Sequence, residues 1–197
     1  MIQDIAPHRY RNEYHPKPPE KDSIMLCYEG HQVLLEKQGE EIRFPTFAEL
    51  EKENEGVYEN YTYLFEIDGT RFYLGEHISH AQLPAFQMER TEYFRQAKPM
   101  YLAFAGITGF QLYNWYRSRK FCGVCGRPMV HDKKERMMRC EHCGQMEFPK
   151  ICPAVIIGVT DGDRLLMSKY AGRDYKKYAL IAGFAEIGET IEETVQR

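Results

Sequence analysis

Four of the six cysteines fall in two Cys-x-x-Cys pairs, Cys122/Cys125 and Cys140/Cys143, with 14 residues between the pairs. At this spacing each pair can form a tight knuckle in which two thiolates and turn amides face one metal. A hairpin between the pairs sets the second knuckle opposite the first. The pattern therefore predicts a tetrahedral, all-sulfur zinc site. Four thiolates leave no open position, so such a metal staples the chain and does not catalyse. A redox dithiol is the competing reading of the pairs. His142, inside the second knuckle, and His131, at the hairpin tip, are expected to face solvent. Cys27 stands in an apolar run, Ile24-Met25-Leu26-Cys27-Tyr28, and reads as a small buried hydrophobe.

A second constellation runs from Gly183 to Arg197: a glycine, five residues, Glu189, seven residues, then Arg197. Taken alone, Glu186, Glu189, Glu192 and Glu193 read as acids at a helix start, stabilised by the macrodipole. The surrounding run, Ala179-Leu-Ile-Ala-Gly-Phe-Ala-Glu-Ile-Gly-Glu-Thr-Ile-Glu-Glu193, resembles the first half of the Nudix box. The order of zinc ribbon, Phe148-Pro149-Lys150, apolar strand and this box is similar to the NADH pyrophosphatase (NAD⁺ diphosphatase) branch of the Nudix hydrolases.

That resemblance implies hydrolysis of NADH or NAD⁺ to nicotinamide mononucleotide and AMP, with NAD-capped RNA as a related substrate. It implies Mg²⁺ or Mn²⁺ held by carboxylates against the pyrophosphate, where the cation neutralises phosphoryl oxygens and activates water. Residue by residue it makes Glu189 the first box glutamate and Arg197 the arginine that orients a catalytic glutamate. Ala182 takes the position whose backbone carbonyl ligates the divalent cation. Glu135 and Phe148 take substrate-contact positions, the latter a Tyr in relatives, so a stacking face is kept and a hydroxyl is lost. The family pattern continues after the arginine with Glu-apolar-x-Glu-Glu, whereas this sequence stops at Arg197. A C-terminally truncated box and an inactive 197-residue chain are the resulting expectations.

The elements that must position these residues follow from patterning. Ser23–Glu29, Gln32–Glu36, Tyr61–Ile67 and Arg71–Leu74 read as strands, the last two joined at Asp68-Gly69 as a hairpin. Residues 1–20, with four prolines, read as irregular, and Glu49–Glu59 as a loop or short helix. Leu102, Ala105, Leu112, Trp115 and Tyr116 share one face of a helix that starts near Pro99, and Phe104, Ile107 and Phe110 are apolar on another. Such a helix is buried under strands or in a contact between subunits. Cys152–Thr160, Arg164–Lys169 and Tyr178–Phe184 read as strands around an Asp161-Gly162-Asp163 turn. A final helix begins near Glu189, with Ile191 and Val195 on its apolar face. Lys169, Arg173, Lys176 and Lys177 read as a solvated loop, and Gly183 and Gly188 as loop glycines.

The fold class expected is α+β and multidomain: an N-terminal α+β domain (1–117), a zinc ribbon (118–150) and the N-terminal part of an α/β/α Nudix fold (151–197). Apolar residues make up 43% of the 197, enough for a packed core, which excludes a disordered or collagen-like chain. No apolar run approaches the length of a membrane span, so a cytoplasmic protein with no membrane contact is expected. There are 26 Lys and Arg against 29 Asp and Glu, but residues 117–150 carry nine basic side chains against four acidic ones. Part of that basic island is expected to offset the zinc–thiolate charge. The alternative function is a non-enzymatic zinc-ribbon module that binds nucleic acid or a protein partner. A homodimer built through the N-terminal domain is also expected.

Overall fold

Short, nearly continuous apolar runs build the first half of the chain. The computed structural model describes residues 2–172 and 176–197. Its strands begin with β1 (Tyr10–Arg11), β2 (Ile24–Glu29), β3 (Gln32–Gln38) and β4 (Glu41–Arg43). After helix α1 (Phe47–Leu50) come β5 (Thr62–Ile67), β6 (Thr70–Gly75) and β7 (Phe86–Arg90). These seven form one sheet in the order β1-β5-β6-β2-β3-β4, with β7 also paired to β3. The β2/β6 pair is parallel, with Cys27 opposite Gly75; the remaining pairs are antiparallel.

The two-residue period of a strand sends Leu26 and Tyr28 to one core and Met25 and Cys27 to the other. Helix α2 (Met100–Ser118) covers the first face through Leu102, Ala105, Leu112, Trp115 and Tyr116, the stripe expected from spacing. Phe47 and Leu50 of α1, with Val57 and Phe86, cover the second. Both faces are dry, which is why these strands are nearly continuous apolar runs. Cys27 is buried, and that burial pushes its thiol up to about 12, so it is the inert hydrophobe its neighbours implied.

The Asp68-Gly69 hairpin forms with φ of +50° and +85° at its two turn residues, the mirror-image turn that such a dipeptide favours. Asp68 does more than turn the chain. Its carboxylate accepts from the Arg9 amide (2.8 Å) and meets His8 Nδ1 (2.7 Å). The N-terminal segment is thereby tied to the sheet, supplies β1, and sets Tyr10 edge-on to Phe104 (4.9 Å). The segment read as irregular thus partly covers the second apolar face of α2, where Phe104, Ile107 and Phe110 are half-buried.

Beyond α2 come the short strands β8 (Val130–His131), β9 (Met138–Arg139) and β10 (Met146–Glu147), a three-stranded ribbon in the order β10-β9-β8. Met129 and Met138 lie in the same core cluster as α2 and the sheet. Met1–Pro149, ribbon included, therefore forms one compact unit, and Lys150–Arg197 forms a second.

In the second unit β11 (Ala154–Ile157) pairs antiparallel with β14 (Ile181–Phe184), and β12 (Thr160–Asp161) with β13 (Arg164–Leu165). Helix α3 (Ile191–Gln196) packs on β11 and β14. Three details differ from the patterning. Gly183 lies inside β14, opposite Val155, whereas Gly188 is the loop glycine, with φ of +92°. Ile191 and Val195 are exposed, and the buried residue of α3 is Thr194, whose hydroxyl is spent on local hydrogen bonds. Of the basic loop, Arg173 lies outside the described residues, and Lys169 sits over the Tyr178 ring. Among the described residues no helix is long and apolar enough to cross a membrane. The whole is the mixed α+β, multidomain chain expected.

Candidate functional site

The two knuckles are near-copies of each other. Cys122 N donates to Arg127 O (2.8 Å) and Gly126 N to Cys122 O (2.9 Å). Cys140 N donates to Gln145 O and Gly144 N to Cys140 O, both at 2.9 Å. Each turn closes through a glycine in the left-handed region, Gly126 (φ +72°) and Gly144 (φ +76°), where a side chain would be strained. This repeat brings all four Sγ atoms within 4.8 Å of one another, with Cys122–Cys143 and Cys125–Cys140 each at 3.5 Å. A Zn–S bond of about 2.3 Å requires tetrahedral sulfur–sulfur edges of about 3.8 Å. The donor set and its spacing therefore fit structural zinc. No other group of His, Cys, Asp or Glu among the described residues converges in this way.

Hydrogen bonds to sulfur come from backbone amides, such as Val124 N on Cys122 Sγ (3.4 Å). Much of the basic island is occupied elsewhere: Arg119 pairs with Glu147 (3.3 Å) and Lys120 with Glu76 (3.5 Å). His142 is exposed, as read. His131 is exposed as well, although one face of its ring stacks on Tyr116 (4.9 Å, 24°), where desolvation lowers its pKa from the usual histidine value. The stacking holds the hairpin against α2.

Arg136 is the residue that spacing could not single out. Its guanidinium donates to Asn12 Oδ1 (2.7 Å) and to the Leu64 carbonyl of β5, and it lies over the Tyr14 ring (5.6 Å). The hairpin tip is thereby bolted to the N-terminal segment and the sheet. Asp132 shapes the adjoining turn by accepting from the amides of Lys134 (2.8 Å) and Glu135 (3.0 Å), bonds that hold its carboxyl below the ordinary range. Glu135 is presented on this turn with its side chain exposed, and Phe148 is exposed past β10. Arg136→Ala should cost about 1–3 kcal/mol, the penalty for stranding a part-buried acceptor such as Leu64 O. Lysine should rescue little, because it lacks the planar fork. Urea unfolding with hydrogen exchange over 130–138 reads both effects; unchanged exchange there in the alanine variant would show that the bolt carries no load.

In the second unit the box residues converge on Glu189. Arg197 Nε donates to Oε1 (2.6 Å) and Arg197 Nη2 to Oε2 (2.9 Å), while Nη2 also reaches Phe184 O (3.1 Å) at the end of β14. The Glu186 amide (3.0 Å) and the Thr194 hydroxyl (3.1 Å) donate to Oε2 as well. The Arg197 guanidinium first, and these donors after it, hold the Glu189 carboxyl down at about 2. Glu193, one of the acids read at the helix start, is exposed and closes a capping box with Thr190: Thr190 N donates to its carboxylate (2.7 Å) and its amide to Thr190 Oγ1 (3.1 Å). The Thr-x-x-Glu spacing was the signal for it. Glu186 and Glu192 remain exposed, and Ala182 lies in β14 opposite Ile156.

The four-cysteine cluster on its hairpin is that of a zinc ribbon, and comparisons with known proteins agree. Residues 117–148 match the NADH pyrophosphatase zinc ribbon domain. The chain is similar to the NAD-capped RNA hydrolase NudC of Pectobacterium carotovorum, 40% identical over 89 residues, or 45% of this chain and 34% of that protein. The NudC of Citrobacter koseri is likewise 40% identical over 89 residues, 45% of this chain and 35% of the relative. The chain thus covers about a third of the length of the curated relatives it matches.

Proposed function

We propose that this chain serves the hydrolysis of the pyrophosphate linkage of NADH or NAD⁺ to nicotinamide mononucleotide and AMP, with NAD-capped RNA as a related substrate. The observation that carries the reading is the two-pronged clamp of Arg197 on Glu189, in a chain whose ribbon is of the NADH pyrophosphatase type. The clamp fixes the loop between β14 and α3, so Glu189 and Arg197 act as positioning residues. Glu135 and the exposed ring of Phe148 meet the substrate, the ring offering a face for stacking. Zinc is structural.

The divalent cation, Mg²⁺ or Mn²⁺, would neutralise phosphoryl oxygens and activate water. The Ala182 carbonyl and the exposed carboxylates of Glu186 and Glu192 are candidate oxygen ligands for it. The described carboxylates do not converge on one centre, and Glu189 and Glu193 are already committed to clamp and cap. Residues 1–197 assayed alone are therefore expected to hydrolyse little. A reducing compartment such as the cytoplasm keeps the four thiolates available to zinc, and the half-buried face of Phe104, Ile107 and Phe110 is the surface for a second copy.

The test joins residues 1–197 to the downstream portion of the Pectobacterium relative. With NADH and Mn²⁺, the fused protein is expected to release AMP and nicotinamide mononucleotide in equal amounts, and residues 1–197 alone almost none, as read by chromatography. A fused protein that is folded, holds zinc and releases no AMP would overturn the reading.

A further inference from the structure

At the carboxyl ends of the parallel pair, the sheet divides. Strand β2 runs on to Glu29 and pairs with β3, whereas β6 stops at Gly75, and the chain turns away through His77 with φ of +57°. A cavity of about 320 Å³ lies here, within the size range of small-molecule sites. Cys27, Leu34 and Tyr113 form apolar parts of its wall, and Glu29, His77 and Arg117 bring charged and polar groups. Apart from Arg117, in the last turn of α2 where the matched ribbon segment opens, none of these residues belongs to the zinc ribbon, and none belongs to the Glu189 clamp.

The aromatic wall is held in place before any ligand arrives. Tyr113 stacks on Tyr28 (5.3 Å, 27°), and Tyr28 Oη donates to the Gly106 carbonyl of α2 (2.6 Å). Helix and sheet come this close because Gly109 has no side chain: a Cβ there would sit 2.6 Å from Tyr28 Oη and collide with Leu26. One helical turn past Tyr113, Arg117 carries its guanidinium 5.4 Å above the same ring. The neighbouring Lys120 is paired with Glu76 (3.5 Å), but among the described ion pairs Arg117 has no carboxylate partner.

We infer that this cavity binds a nucleoside 5′-monophosphate. A guanidinium with free forked donors suits a phosphate dianion. The apolar wall, in which Tyr28 and Tyr113 are already stacked on each other, suits the edge and rim of a heteroaromatic base. The Glu29 carboxylate suits the ribose hydroxyls, as acidic residues do in dinucleotide sites. The cavity lies wholly within the first unit, and the inference does not rest on the proposed hydrolysis.

The full zinc-loaded chain, labelled at methionine methyls, is titrated with AMP, and in parallel with adenosine and with inorganic phosphate. Met88 lines the cavity and reports occupancy. AMP is expected to move the Met88 methyl resonance saturably, adenosine and phosphate far less. Arg117→Ala should weaken AMP by at least about tenfold, the worth of a charge-assisted hydrogen bond, and Glu29→Gln by a smaller factor with the spectrum otherwise intact. An unmoved Met88 methyl, an unchanged affinity in Arg117→Ala, or phosphate binding as tightly as AMP each overturns the inference.

Discussion

Stripping zinc from this protein, or replacing Cys140 by Ser, is expected to unfold residues 118–148 and lower the melting temperature of the first unit by at least about 10 °C. Within itself the ribbon has little besides the metal to hold its two knuckles together. Its three strands are two residues each, too short to persist unaided. Its buried side chains are Cys122, Met129, Met137, Met138 and Cys140, of which two are the metal ligands. Structural zinc contributes roughly 10–16 kcal/mol in small finger peptides, whereas a whole domain has a net stability of only about 5–15 kcal/mol. At about 2–4 °C per kcal/mol for a chain of this size, even half of that contribution gives the stated drop. The loss spreads, because Met129 and Met138 are part of the core shared with α2 and the sheet.

Protons should compete with the metal. Without zinc, the Cys140 thiol is drawn down to about 6, chiefly by the Cys143 amide, while Cys143 itself is pushed up to about 12. For Cys143 a backbone hydrogen bond from Gln145 acts in the opposite sense but is outweighed by burial and by the other three thiols. The empty cluster is thus only partly ionised at neutral pH. Zinc must expel the remaining protons to bind, so its hold weakens as pH falls. Thermal unfolding with and without chelator across pH, alongside zinc content by elemental analysis, checks both statements. A melting temperature that stays put after stoichiometric zinc removal would sink the stapling role.

What the sequence made legible were features carried by neighbours in the chain. The cysteine spacing needs only a hairpin to become a metal site, and Asp68-Gly69 needs only its own φ angles to become a turn. The buried stripe of α2 is a property of one helix. Strand β7 escaped because its identity lies in a distant partner: Phe86–Arg90 is unremarkable until Gln32–Glu36 of β3 lies beside it. The short β4 escaped for the same reason, pairing with β3 over three residues.

The candidate site divides along the same line. Arg136 is one of nine basic residues in its segment, and nothing local marks it as the one that grips Asn12 and Leu64. Arg197 and Glu189 were paired by resemblance, yet the count of donors on Glu189 required the folded loop. Thr190 and Glu193 are the opposite case. Their capping box was readable in four consecutive residues, and the acids were ascribed to the helix dipole instead. Ile191 and Val195 obeyed helical periodicity and still came out exposed, because periodicity says which residues share a face and not what that face meets.

Arg197→Ala should return Glu189 most of the way from about 2 to the ordinary carboxylate value of about 4.3, close to a hundredfold gain in proton affinity. Two of the four donors on Glu189 vanish with the guanidinium, while the Glu186 amide and the Thr194 hydroxyl remain, so the return stops short of complete. Lysine at 197 should give an intermediate value, since it supplies charge without the fork. The sign of the linkage follows. A carboxyl whose folded pKa is depressed adds stability above its unfolded value near 4.3 and loses it as pH falls toward 2. The intact clamp therefore loosens in acid, and the Arg197→Ala variant should show most of that dependence lost. Carboxyl-carbon NMR, with Glu189→Gln to assign the resonance, gives the titration directly; a Glu189 that still titrates near 2 without Arg197 would refute the clamp. The same count bears on chemistry. A carboxylate offers about four lone-pair sites; three of the four donors crowd onto Oε2 and one meets Oε1, so most of the carboxylate is committed to holding the loop and only Oε1 keeps a lone pair to spare. Its charge is permanent and spoken for, which makes it the fixed point from which neighbouring groups on β14 and α3 are aimed.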